Sequence, residues 1–218
     1  MDDSIVQSAM EFLNNGQPEQ ALGLLGPYAR RCPEDLDGLL LLGMAYEQTG
    51  ELQSAVRIFN RVLEQDPLNG GALFQSGLAQ LSLHDPLSAE AFLRLALHRD
   101  PGQSGAWESL ARALQDQGRK PEVLALLRQA VKRIPDDVNL HRMLLLSIVD
   151  NEVCEQGVPV ADWLEREAGA DYGCLRALLF FSMGYLDMFR TARVLSCIWE
   201  AHYALFLGDS ILLEAFRN

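Results

Sequence analysis

Residues 36–69 read LDGLLLLGMAYEQTGELQSAVRIFNRVLEQDPLN, and residues 70–103 repeat the pattern as GGALFQSGLAQLSLHDPLSAEAFLRLALHRDPGQ. The step is 34 residues, kept by Pro33, Pro67, Pro101 and Pro135. Seventeen residues before each proline stands Gly16, Gly50, His84 or Gly118, and five residues after that position comes Ala21, Ala55, Ala89 or Val123. A fixed period between about 20 and 50 residues marks an array of supersecondary units, each burying its apolar face against the next.

Each marker has a physical reason. Gly16, Gly50 and Gly118 fall where one helix stops and the chain turns, and glycine takes the left-handed backbone conformation without steric penalty. Ala21, Ala55 and Ala89 lie early in the second helix, where a small side chain lets two helices approach. The prolines follow that helix, which a residue without an amide proton cannot extend. Between them run apolar residues at helical spacing: Leu39, Leu42, Gly43 and Tyr46, then Phe59 and Val62. The fourth copy has Trp107, Leu110, Ala111 and Leu114, then Leu127 and Ala130. This spacing predicts helix pairs at 2–15 and 18–31, 36–49 and 52–65, 70–83 and 86–99, and 104–117 and 120–133. Pro18, Pro86 and Pro121 fall in first turns of second helices, where proline is tolerated.

In these residues the stretch 2–137 resembles four tandem tetratricopeptide (TPR) repeats, 2–35, 36–69, 70–103 and 104–137. The resemblance implies an all-α fold, a right-handed α-solenoid of helix–turn–helix repeats, here with a helical C-terminal extension. Five departures stand out. Ser8 and Tyr28 occupy positions where a large and a small residue are usual, Gln80 replaces an aromatic, His84 replaces the turn glycine, and Val123 replaces alanine. Helices are expected to survive these changes with locally altered packing.

After Pro135 the period fades. Asp137 is placed to cap a fifth-repeat-like helix over 138–150, with Leu140, Leu144, Leu145 and Ile148 on one side. Residues 151–157 read as a loop, and Pro159 starts a short helix through Ala168. Three further amphipathic stretches, 173–184, 187–206 and 210–217, carry Phe180, Phe181, Tyr185, Phe189, Trp199, Tyr203, Phe206 and Phe216. A repeat array needs a terminal cap, so residues 151–218 are expected to serve as a helical cap or an oligomerisation region, with a homodimer through residues 172–218 as one outcome.

Composition narrows the function classes. The net charge is −12 with only two lysines, Lys120 and Lys132, which argues against nucleic-acid binding through phosphate neutralisation. The same deficit gives little support for anionic lipid. The start Met1-Asp2-Asp3-Ser4 is acidic and no signal-type apolar core follows, so a cytoplasmic location is expected. The apolar stretch Leu175–Leu186 contains Arg176 and is too short to span a bilayer, so no membrane insertion is expected. Cys32, Cys154, Cys174 and Cys197 are scattered and read as reduced structural thiols.

No catalytic, metal or cofactor site is expected. His84, His98, His141 and His202 form no His-Glu-x-x-His pair and have no metal-ligand spacing with Cys or carboxylate. Gly70-Gly71 and the 102–105 loop lack the lysine of a phosphate loop and mark repeat junctions. Asp2-Asp3 and Asp136-Asp137 precede first helices, where they complement the helix dipole.

The TPR resemblance places function on the concave face lined by first helices. Groove positions then read Val6, Met10 and Leu13; Leu40, Met44 and Glu47; Phe74, Leu78 and Leu81; Glu108, Arg112 and Gln115; and Arg142, Leu146 and Val149. Three repeats offer an apolar groove with two methionines, and Arg112 and Arg142 are the cations of the polar end. The basic clamp of chaperone-docking TPR domains is missing, since Val6, Met10 and Leu40 stand there; the groove chemistry is closer to that of TPR secretion chaperones. The expected function is a non-enzymatic adaptor or chaperone-like scaffold for a protein or peptide client with an apolar segment. Two alternatives stay open: an assembly or regulatory subunit, or the TPR portion of a larger enzyme system. The groove itself is either open to a partner or filled by the chain's own C-terminal region.

Overall fold

The computed structural model describes residues 2–151 and 154–168, and its backbone divides into two compact units after Pro135. The first unit holds four helical hairpins: α1 (Asp2–Asn14) with α2 (Pro18–Arg31), α3 (Leu36–Gln48) with α4 (Leu52–Gln65), α5 (Gly70–Ser82) with α6 (Pro86–Arg99), and α7 (Ser104–Asp116) with α8 (Lys120–Arg133). The described residues contain no strand, and the all-α solenoid expected from the repeat is what forms.

The hairpin turns share one geometry. The amides of Gln17, Glu51, Asp85 and Arg119 donate to the carbonyls of Phe12, Tyr46, Gln80 and Leu114 at 2.8–3.0 Å. The preceding amides of Gly16, Gly50, His84 and Gly118 donate to Leu13, Glu47, Leu81 and Gln115. This double closure satisfies carbonyls left over at a helix end and requires a left-handed residue at its centre. Gly16, Gly50 and Gly118 sit at φ +68°, +82° and +74°, and His84 is held at +59° in the same role. The third turn therefore keeps its shape without glycine.

The starts of α3, α5 and α6 carry side-chain caps. Asp35, Asn69 and Asp85 accept hydrogen bonds from the amides of Asp37, Ala72 and Ser88. Pro18, Pro86 and Pro121 occupy the first or second positions of α2, α6 and α8.

Within each hairpin, close approach is set by a small residue on the first helix. A Cβ added at Gly43 would lie 2.2 Å from Cε1 of Phe59, and one at Gly77 would lie 2.6 Å from Cγ of Leu93. The other two hairpins place Ala9 and Ala111 at the equivalent position, opposite Leu25 and Leu127, and all four of these are fully buried. Successive hairpins pack through α2–α3, α4–α5 and α6–α7. Here Pro33 and Pro101 act as acceptors: Arg61 and Gln65 donate to the Pro33 carbonyl at 3.2 Å, and Trp107 Nε1 donates to that of Pro101 at 2.9 Å.

A polar tie fastens the last two hairpins. The Glu90 carboxylate of α6 accepts from Gln117 Nε2 at 3.0 Å, pairs with Arg94 at 2.8 Å, and bonds Arg119 of the α7–α8 turn. Burial works against ionisation of Glu90, but the hydrogen bonds from Gln117, Arg94 and Arg119 outweigh it and hold its carboxyl below the usual range.

The second unit begins with α9 (Val138–Asp150), capped by Asp137 Oδ1 accepting from the Leu140 amide at 2.9 Å. The segment expected as a loop winds one 3-10 turn at Cys154–Gly157, which runs directly into α10 (Val158–Ala168). Such turns commonly lead into an α-helix. Leu140, Leu145, Ile148 and Leu164 are buried, and His141 stacks on Trp163 with ring centroids 3.8 Å apart. The stretches 173–184, 187–206 and 210–217, with His202, Cys174, Cys197 and the proposed dimer segment 172–218, lie outside the described residues.

Candidate partner-binding groove

First helices lie side by side: α1 packs on α3, α3 on α5 and α5 on α7, whereas successive second helices make no packing of that extent among the described residues. The first helices thus form the tighter inner layer of the first unit, and the repeat period stacks equivalent positions into columns.

The column of fifth positions runs Val6, Leu40, Phe74 and Glu108. All are partly buried, and the middle two seal seams between neighbouring first helices. A Cβ at Gly71 would lie 2.8 Å from Leu40 Cδ2, and one at Gly105 would lie 3.3 Å from the tip of Phe74. The glycines at the second position of α5 and α7 are what receive these side chains.

The ninth-position column runs Met10, Met44, Leu78 and Arg112. Met10 is 48% exposed, Met44 and Leu78 are partly buried, and Arg112 is exposed. An apolar row therefore crosses three hairpins and ends in a cation on the fourth. In the twelfth-position column, Leu13 and Leu81 are only 5% and 6% exposed and belong to the packing, whereas Gln115 is exposed. Glu47, stacked between those two leucines, is partly buried, and burial pushes its carboxyl up. Arg142 and Leu146 are exposed on α9, in the second unit.

Sequence reasoning missed the receiving glycines. Gly71 and Gly105 read as junction residues, and the signal that finds them is their shared second position, opposite bulky fifth positions one repeat earlier. A cleft of about 420 Å³ lies elsewhere, between the ends of α6 and α8, and includes His98, Trp107, Lys132 and Arg133. The described residues contain no group of three or more His, Cys, Asp or Glu able to hold a metal ion, and no helix among them is long and apolar enough to cross a membrane.

Family models described as tetratricopeptide repeat match residues 6–70 and 73–147. The chain belongs to the tetratricopeptide repeat family, and its fold is that of a protein-interaction scaffold built from stacked helical hairpins.

A curated relative, "Cellulose synthase 2 operon protein C" of Komagataeibacter xylinus, is 26% identical over 191 residues, covering 85% of this chain. "Cellulose synthase operon protein C" of Pseudomonas fluorescens (strain SBW25) is 31% identical over 113 residues, 51% of this chain. The chain spans only 14% and 9% of the length of these relatives. Among solved structures, MamA from Desulfovibrio magneticus RS-1 aligns with a TM-score of 0.67 at 23% identity, over 78% of this chain and 97% of that one. MamA of AMB-1 aligns with a TM-score of 0.60 at 22% identity, over 76% and 98%. These structural likenesses show the fold.

Proposed function

We propose that the chain is a non-enzymatic, adaptor- or chaperone-like scaffold that seats an apolar peptide or helix of a client protein along its first-helix face. The observation that carries this reading is the row Met10, Met44 and Leu78, one side chain per hairpin, with Met10 nearly half exposed. An apolar row of that length suits the spaced anchors of an amphipathic segment, and methionine adapts its shape to imperfectly matched side chains.

A photo-crosslinking residue at Met10 or at Met44, introduced into the full chain in its host, tests the reading. Crosslinks to an apolar segment of another protein, lost when Leu78→Glu is added, are the expected result. Crosslinks confined to the chain's own residues would mean that the groove is filled internally and would overturn it.

The relatives' names favour a second reading. Both are products of cellulose synthase operons, and this chain matches only a short portion of each. On this reading the chain is an assembly or regulatory subunit of a larger synthase system, with residues 172–218 as its association surface. Light scattering on the full chain checks the association: a monomer at every concentration removes that role for the segment.

A further inference from the structure

Glu47 is the anomaly of the inner face. It shares one face of α3 with Leu40 and Met44, at four- and three-residue steps. In its column the neighbours on α1 and α5 are Leu13 and Leu81, both buried. A carboxylate thus stands where the adjacent repeats place core leucine. Among the described residues no donor or cation pairs with it, and burial alone raises its pKa. Unpaired, partly desolvated charge reduces the stability of the isolated array, and the penalty is relieved when a cation reaches the carboxylate. The chain's net charge of −12 acts in the same sense, drawing positively charged partners toward it.

We propose that Glu47 is a specificity residue that selects, among apolar segments, those of another protein carrying a lysine or arginine between their apolar anchors. The basic group pairs with Glu47 while flanking apolar side chains lie against Met44 and Leu78. This inference rests on the groove reading above and narrows it: the ligand is cationic and apolar, the opposite polarity to a carboxylate-terminated ligand.

The test selects a random 12-residue phage-displayed peptide library on the full wild-type chain, on Glu47→Gln and on Leu78→Glu. Glu47→Gln keeps the side chain's shape and removes the desolvated charge, so it folds at least as well as wild type. Wild type is expected to enrich peptides with one Lys or Arg flanked by apolar residues. Glu47→Gln is expected to keep the apolar enrichment and lose the basic residue. For the selected consensus, Lys or Arg→Gln in the peptide weakens binding to wild type by about tenfold or more and leaves binding to Glu47→Gln unchanged. Equal basic enrichment on both proteins, or apolar peptides without a basic residue on wild type, overturns the role of Glu47 and leaves the groove standing. Peptides that bind Leu78→Glu as well as wild type, or no enrichment at all, overturn the groove reading and this proposal together.

Discussion

Tyr28 of α2 packs directly over Gly38 of α3: a Cβ added at Gly38 would lie 2.6 Å from Tyr28 Cε1, and the Tyr28 hydroxyl donates to Asp35, the cap of α3. The position that Tyr28 occupies is filled by Val62, Ala96 and Ala130 in the later repeats. A large residue is accommodated there because its partner one repeat on has no side chain. Gly38→Ala is expected to destabilise the chain by about 1–3 kcal/mol through overpacking. In a Tyr28→Ala background the same change should cost far less. Strictly additive losses in a double-mutant cycle by chemical denaturation would show that the two residues are independent.

Gly43 and Phe59 form a second matched pair, with Ala9/Leu25 and Ala111/Leu127 as the alternative solution in other hairpins. Gly43→Ala alone should therefore destabilise by about 2 kcal/mol or more. Adding Phe59→Leu to Gly43→Ala should recover part of that loss, measured as a shift in the denaturation midpoint. A double variant less stable than Gly43→Ala would contradict the pairing.

His84 holds the third turn at φ +59°, where a side chain is strained by about 1 kcal/mol. His84→Gly relieves the strain but adds freedom to the unfolded chain, so a net gain of at most about 1 kcal/mol is expected. A thermal midpoint lower than that of wild type would show that the imidazole contributes something glycine cannot.

The hydroxyl of Ser76 is buried without a hydrogen-bond partner among the described residues. Ser76→Ala removes this penalty and is expected to be neutral or stabilising by about 1 kcal/mol. A loss of more than about 1 kcal/mol would mean that the hydroxyl has a partner after all.

Glu47 and Glu90 should move stability with pH in opposite senses. Burial raises the Glu47 pKa in the folded chain above its unfolded value of about 4.3, so its penalty is full at neutral pH and gone below the unfolded pKa. Glu47→Gln should thus stabilise at pH 7 and have little effect near pH 3. For Glu90 the folded pKa is depressed, so its contribution is present above the unfolded pKa and is lost as pH falls through the folded one. Glu90→Gln should destabilise at pH 7, and the difference should shrink in acid. Urea titrations at pH 7 and pH 3 check both, and parallel behaviour of the two variants would refute the assignment.

Much of the fold was legible in the sequence because its rules are local. A left-handed residue closes a helix, a proline cannot extend one, and a 34-residue period leaves room for two helices and two turns. The five departures were legible as departures, but their resolution was not. Nothing within repeat one reveals that Gly38 in repeat two receives Tyr28, and His84 shows no sign in the sequence that it would adopt the glycine conformation. The segment 151–157 reads as a loop in the sequence because one 3-10 turn is too short to show a periodicity.

By itself, then, the sequence determined the helices, their ends and the order in which hairpins stack, since each follows from backbone stereochemistry and a periodic apolar face. Tertiary structure decided what that face presents. Inner-face positions became a buried Leu13, an exposed Met10, a seam-filling Phe74 and a partly buried Glu47 with no side-chain partner among the described residues. The physical reason is that exposure depends on side chains one repeat away, as where Gly71 and Gly105 receive Leu40 and Phe74, and the 3.6-residue periodicity of a single helix does not report them.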